Sequence, residues 1–184
     1  MRIISGKYRG HQLVSFSAEH VRPTTDRVKE SMFNIIQGYL EGAHVVDLFA
    51  GTGNLGIEAL SRGAQDIVFV EKNKKSIEIL KKNIQKIKIT ESYEIVQKNV
   101  LTYLDKYSGN SFDLIFADPP FTEEMAHDVM VSADKSQALG KNSIMLIESG
   151  RREKLLDDYP SLVRYDVREF GDKVLSFFRK KGSS

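Results

Sequence analysis

The 184-residue sequence predicts an α/β fold, a doubly wound and mostly parallel sheet with helices on both faces. Three observations predict it. Short runs rich in Val, Ile, Leu and Phe, free of internal Gly and Pro, alternate with segments of helical spacing. A glycine-rich turn, Gly51-Thr52-Gly53-Asn54-Leu55-Gly56, stands where the first such run meets the helix after it. An acid, Glu71, closes the second run, 20 positions after Gly51.

In chain order, segments 3–5 and 12–14 flank Gly6-Lys7-Tyr8-Arg9-Gly10 and predict an N-terminal hairpin. Arg22-Pro23-Thr24-Thr25-Asp26 leads into a helix whose apolar stripe is Val28, Met32, Ile35, Ile36 and Tyr39. Strands are expected over 44–49, 66–70, 93–97 and 112–117, and helices over 54–62, 73–87 and 122–133. A fifth strand over 143–148 precedes a short helix over 151–158. Segments 164–170 and 174–179, joined by Gly171-Asp172-Lys173, predict an antiparallel C-terminal hairpin that closes the sheet edge. With no repeat, low-complexity run or linker, the chain is expected to be one domain over 1–184. It comprises a basic hairpin extension over 1–22, a cofactor-binding and catalytic core over 23–180, and a tail over 181–184.

Composition narrows the chemistry. Hydrophobic residues make up 41% and charged residues 28%, an ordinary globular mix, and 27 Lys and Arg against 25 Asp and Glu leave a net charge of +2. The absence of cysteine excludes a disulfide framework, a thiolate zinc site, an iron–sulfur cluster and a cysteine nucleophile. The four histidines show no ligand spacing, so no metal is expected, and Ser61 and Ser149 have no evident histidine partner for hydrolase work. No signal-peptide pattern or membrane span is present, so a cytoplasmic protein is expected. The weak overall field means that any nucleic-acid contact comes from local patches.

The glycine turn and Glu71 together satisfy a nucleotide-binding pattern: glycines let the backbone approach a ligand and the carboxylate accepts from ribose hydroxyls. Asp47, at the tip of the first strand, favours one nucleotide over another. A carboxylate there repels a pyrophosphate, whereas S-adenosylmethionine carries an ammonium and a sulfonium that it stabilises. Asp47-Leu48-Phe49-Ala50-Gly51-Thr52-Gly53 accordingly resembles the first motif of class I methyltransferases. The expected cofactor-binding residues are Asp47, Phe49, Ala50, Gly51, Thr52, Gly53, Glu71, Lys72, Asn99 and Val100. Asn99 has two readings, a bond to the adenine amino group or a cap for the next helix.

The fourth strand runs into Asp118-Pro119-Pro120-Phe121, where doubly wound folds place their chemistry. This resembles the Asp/Asn-Pro-Pro-Phe/Tyr motif of methyltransferases that act on exocyclic base amines. Such a nitrogen is a poor nucleophile because its lone pair is delocalised into the ring. The Asp118 carboxylate and the Pro119 carbonyl can hold both N–H groups so that the lone pair points at the methyl donor, while Phe121 stacks on the base. Asp118, Pro119, Pro120 and Phe121 are therefore the expected catalytic set, and the target nucleotide must be unstacked to reach them.

Three further stretches carry a closer resemblance: the opening 2–10, then 22–30 with Phe33-Asn34, then Glu58-Ala59-Leu60-Ser61-Arg62-Gly63-Ala64. On these, nearly the whole chain is similar to the bacterial RsmD family. The resemblance implies a class I methyltransferase (Rossmann-like) sheet with an N-terminal extension, and methylation of guanine N2 in 16S ribosomal RNA. The implied partner is that RNA in an assembling or assembled 30S particle, with the enzyme a monomer. Substrate contacts are expected from Arg2, Lys7, Tyr8 and Arg9 on the basic hairpin, where an aromatic can stack while cations grip phosphates. Further contacts are expected from Arg22, Thr24 and Arg27; the same stretch also reads as a helix cap, with Arg27 pairing with Glu30. The lysines at 72–88 read as the solvated face of a cover helix. Asp-Pro-Pro-Phe does not distinguish guanine N2 from adenine N6, and a NAD-dependent oxidoreductase or an RNA chaperone without turnover are the readings of other classes.

Overall fold

Alternate residues of a strand point to opposite faces of a sheet, and the apolar side chains of the central strands divide accordingly into two cores. The computed structural model describes residues 1–16, 26–120 and 124–182. Among the described residues there are seven strands: β1 His44–Asp47, β2 Asp66–Glu71, β3 Ser92–Gln97, β4 Phe112–Ala117, β5 Leu139–Gly150, β6 Leu162–Phe170 and β7 Lys173–Lys180. They lie in the order β3-β2-β1-β4-β5-β7-β6. The first five run parallel, β7 is antiparallel to both its neighbours, and β6 forms the edge. The winding reverses between β1 and β4, which opens a crevice at the carboxyl ends of these strands.

Val45, Ile67, Phe69, Leu114, Phe116, Ile144, Leu146, Leu175 and Phe177 face one way. They pack under α1 (Asp26–Ile35), α2 (Asn54–Ser61) and α3 (Lys74–Ile87), from which Phe33, Ile57, Leu60, Leu80 and Ile84 descend. Val46, Val70, Ile115, Met145, Ile147 and Phe178 face the other way, under α4 (Val100–Asp105) and α5 (Ala126–Lys135). Gly56 lets α2 sit low on the sheet, since a Cβ there would lie 2.3 Å from Phe69 Cε1. No helix among the described residues is long and apolar enough to cross a membrane.

The N-terminal segment is tied down by a buried charge cluster. Glu58 on α2 is fully buried, pairs with Lys29 Nζ at 3.0 Å and Arg62 Nε at 2.8 Å, and accepts from the N–H groups of Ile4 and Ser5 at 2.8 and 3.0 Å. Lys29 also donates to the Arg2 carbonyl at 2.6 Å and to Asn54 Oδ1 at 2.9 Å, so one cation joins the chain start, α1 and the entrance of α2. Burial pushes the Lys29 ammonium below its ordinary range, against the opposing pull of Glu58.

Several expectations are corrected. The helix expected over 151–158 is absent, because its backbone is engaged elsewhere: Arg151 N–H donates to Asp172, Glu153 N–H turns back onto Gly150, and Asp158 bridges to Val163. So short a segment does not sustain a helix against such pairing. The helix that follows the third strand is α4, its six residues nucleated by Asn99 and held by burial of Val100, Tyr103 and Leu104. The N-terminal hairpin is short: Ile3, Gly10 and Leu13 N–H groups bond across it to His11, Ile3 and Met1 carbonyls around a bridge between Arg2 and Gln12, while the Ile4 and Ser5 N–H groups go to Glu58 on α2. β1 ends at Asp47 rather than at Phe49, where the glycine turn begins. Tyr39 is 58% exposed rather than part of the buried stripe, because α1 ends at Ile35 and a tight 3-10 turn re-aims the chain. Helix α5 begins at Ala126; residues 121–123, including the expected start at Thr122, lie outside the described residues.

Candidate active site

The glycine turn is built by its own hydrogen bonds. Gly53 N–H donates to the Ala50 carbonyl at 2.7 Å, Ala50 N–H reaches Val70 at 3.0 Å, and Asn83 Nδ2 holds the Thr52 carbonyl at 2.9 Å. Gly53 takes φ 91°, a left-handed conformation in which a side chain is strained, and it starts α2. Glu71 clamps the turn from β2: Oε2 accepts from Gly51 N–H at 2.8 Å and Oε1 from Asn73 N–H at 2.7 Å.

Strand register sets the heights of the acids. Asp47 is level with Phe69 on β2 and Phe116 on β4, and Phe116 is level with Leu146 on β5. Two residues further along each neighbour come Glu71, Asp118 and Glu148. Period-two alternation therefore puts these three carboxylates in one row on the same face, one pleat beyond Asp47. Among the described residues, no group of three or more His, Asp or Glu is arranged to hold a metal ion.

Asp47 is the buried member, 1% exposed. Oδ2 accepts from Gly56 N–H at 3.1 Å, and Oδ1 has no hydrogen-bond partner among the described residues. Burial pushes its carboxyl up to about 7, the Asp118 and Glu71 charges adding to that, while the Gly56 and Phe49 N–H groups pull the other way. Glu148, absent from the sequence reading, is 4% exposed, and burial together with the Asp118 charge pushes it up to about 7 as well. Its carboxyl hydrogen-bonds to that of Asp118 and pairs with Lys173 on β7. The signal that would have found it is an acid inside an otherwise apolar strand, Ile144-Met145-Leu146-Ile147-Glu148.

The remaining expected residues divide between two ends of the molecule. At the crevice, Pro119 is buried and Pro120 exposed directly after Asp118, and Phe49, Ala50 and Thr52 lie in the turn. Lys72 is exposed just past Glu71. Asn99 Oδ1 caps α4 through Leu101 N–H at 2.9 Å and Thr102 N–H at 3.4 Å, beside buried Val100. Arg2 pairs with Asp26 at 2.8 Å, and Arg27 with Arg168 lines a surface groove of about 560 Å³. Lys7, Tyr8 and Arg9 lie away from the carboxylate row, over the carboxyl end of α2 and the start of β3. There Tyr8 is 5% exposed, donates to Glu91 at 2.5 Å and receives Lys7 over its ring, so it anchors the turn from within. Lys7 pairs with Glu91 at 2.7 Å, and Arg9 is exposed. Arg22, Thr24 and Phe121 lie outside the described residues.

The family profile described as Conserved hypothetical protein 95 matches residues 1–179. The chain is 36% identical over 158 residues to ribosomal RNA small subunit methyltransferase D of Haemophilus influenzae, covering 85% of this chain and 82% of that protein. The chain belongs to the methyltransferase D family. YlbH of Bacillus subtilis, described as a candidate rRNA methyltransferase, is 34% identical over 184 residues, covering 99% of this chain and 100% of that one. The solved structure of yhhF from Escherichia coli, described as a candidate methyltransferase, matches with a TM-score of 0.86 at 27% identity, over 100% of this chain and 99% of that one. Class I methyltransferase architecture, with its antiparallel C-terminal hairpin, is thus the architecture of this family member. The carboxylate row lies at the switch point of that architecture.

Proposed function

We propose that this enzyme transfers a methyl group from S-adenosylmethionine to the exocyclic N2 amine of a guanine in 16S ribosomal RNA. The observation that carries the reading is the buried Asp47 Oδ1, without a hydrogen-bond partner among the described residues, beside Glu71 and Asp118, an anionic setting suited to a cationic nucleotide and hostile to a pyrophosphate. The donor group fits these residues: Asp47 takes the ammonium, and Gly51, Gly53 and the rest of the turn hold the methionine end by their backbone. Phe49, Ala50, Thr52, Lys72 and Val100 line it. Glu71 retains lone pairs for the ribose hydroxyls beyond its two backbone bonds. Asn99 keeps its amide nitrogen for the adenine while its oxygen caps α4. When bound, S-adenosylmethionine supplies an electrophilic methyl on sulfur.

The chain's own work is on the amine. The Asp118 carboxylate and the Pro119 carbonyl accept its two N–H groups, which localises the nitrogen lone pair and would orient it toward the methyl that a bound donor supplies. Pro120 stiffens the turn and Phe121 stacks on the base, worth about 1–3 kcal/mol. With S-adenosylmethionine bound, formation of the N–CH3 bond would be matched by cleavage of the S–CH3 bond, leaving S-adenosylhomocysteine, and Asp118 would pass the amine's surplus proton to water. Arg2, Arg22, Thr24 and Arg27 hold phosphates near the flipped nucleotide, and Lys7 and Arg9 contact the RNA further off, with Tyr8 supporting them from beneath. A net charge of +2 limits affinity for naked RNA and favours a structured target, a cytoplasmic 30S particle, approached by a monomer.

The test is methyl transfer to small-subunit particles from a strain lacking the modification, followed by nucleoside mass spectrometry. N2-methylguanosine is the expected product. N6-methyladenosine would move the target to adenine, and no transfer to any base would overturn the reading.

A further inference from the structure

We propose that Glu148 is a positioning residue for Asp118, its carboxyl donating a hydrogen bond to one oxygen of the Asp118 carboxylate so that the other oxygen faces the target amine. The inference rests on the reading of Asp118 as the acceptor of that amine. Its own support is geometric. Ala117 pairs with Ile147, so the next residues, Asp118 and Glu148, are neighbours across adjacent parallel strands. Strands lie about 4.8 Å apart, which brings two carboxyl groups into contact. Glu148 is 4% exposed, and among the described residues its charged company is Asp118 from the turn after β4 and Lys173 from β7. Asp47 faces the same Asp118 from β1.

Two carboxyl groups in hydrogen-bond contact cannot both be ionised there without strong repulsion, so the pair holds one proton near neutrality. Burial and the Asp118 charge raise the Glu148 carboxyl to about 7 against the pull of Lys173. The shared proton is taken to sit on Glu148, the more buried of the two. Lys173 donates to Glu148 Oε1, which fixes the orientation of the carboxyl and leaves the proton for Asp118. Asp118, at the start of a proline turn and with only a partly buried side chain, thereby gains a fixed rotamer. Loss of that bond removes a constraint on the carboxylate, and misplacement of an acceptor by about 1 Å costs on the order of 10²-fold in rate.

The experiment measures single-turnover methyl transfer to 30S particles at saturating S-adenosylmethionine from pH 6 to 9, for wild type, Glu148→Gln and Glu148→Leu. Wild-type rate should fall above about pH 7 as Glu148 ionises and repels Asp118. Glu148→Gln keeps a donor that does not titrate, so it should stay within about threefold of wild type at pH 7 and lose the alkaline fall. Glu148→Leu should lose about 10²-fold in rate with cofactor affinity within about threefold. An infrared difference spectrum between pH 6 and 8 should show a protonated carboxyl stretch that disappears in Glu148→Gln. A wild-type rate that is flat with pH, a Glu148→Gln profile that keeps the fall, or a Glu148→Leu rate equal to wild type would each overturn the proposal. If Glu148→Leu does not fold, the Glu148→Gln profile and spectrum decide. Failure of the underlying reading looks different: Asp118→Asn would transfer as fast as wild type.

Discussion

Glu71 Oε2 accepts a hydrogen bond from Gly51 N–H at 2.8 Å, joining the end of β2 to the glycine turn that follows β1. The same carboxylate therefore shapes the turn and, on the proposed function, receives the ribose hydroxyls. Hydrogen bonds to a charged group are worth about 1.5–3 kcal/mol, or roughly 10- to 100-fold in an equilibrium. Glu71→Ala should weaken S-adenosylmethionine binding by that factor in calorimetry, and lower the melting temperature of the free protein by a smaller amount.

With Asp47 proposed to take the ammonium of the donor, cofactor affinity and stability should run in opposite directions with pH. Its carboxyl titrates at about 7 when folded against 3.8 as a free group. Between those values the folded chain holds a proton that the unfolded chain has released, so stability should fall as pH rises from about 4 to 7 and level off above. The ionised form attracts the ammonium, so S-adenosylmethionine should bind more tightly at pH 8 than at pH 6. Thermal unfolding and calorimetry across this range check both signs. Asp47→Asn should flatten its share of the stability slope, leaving that of Glu148, and abolish the pH dependence of binding.

On the proposed division of work, with Asp118 at the amine and Asp47 at the donor, Asp118→Ala should abolish methyl transfer while leaving cofactor affinity within a few-fold. Equilibrium binding beside a radioactive methyl-transfer assay separates the two. A collapse of affinity would show that the two acids do not divide the work.

The Glu58–Lys29 pair at 3.0 Å is a structural dependence of the entire N-terminal segment. Glu58→Ala strands a buried ammonium and frees the Ile4 and Ser5 N–H groups, which should cost about 3–5 kcal/mol in urea unfolding. Limited proteolysis should then cut within the first residues before the sheet opens.

Most of the sheet was legible because its strands are short apolar runs bounded by turn residues, and β4 matches its expected range of 112–117. What misled was local pattern without partners. Residues 151–158 carry helix-forming Arg, Glu, Lys and Leu, yet the Glu153 N–H goes to β5, the Arg151 N–H to the turn between β6 and β7, and the Asp157 carbonyl accepts from Arg164 N–H on β6. Tyr8, read as an exposed stacking ring, is held inside by Glu91, a residue 83 positions away that no local window includes. Glu148 escaped because an acid in an apolar run has no meaning until its neighbour is known.

By itself the sequence determined the element order, the glycine turn, and the identities of Asp47, Glu71 and Asp118, because turn geometry and charge type are local properties. Only the tertiary structure decided which acids share a face and a height. Register across β2, β1, β4 and β5 aligns Glu71, Asp118 and Glu148 above Asp47, and register is a relation between strands far apart in the chain. Burial then did what no residue type encodes: it raised two of those carboxyls to about 7 and made them responsive near neutral pH.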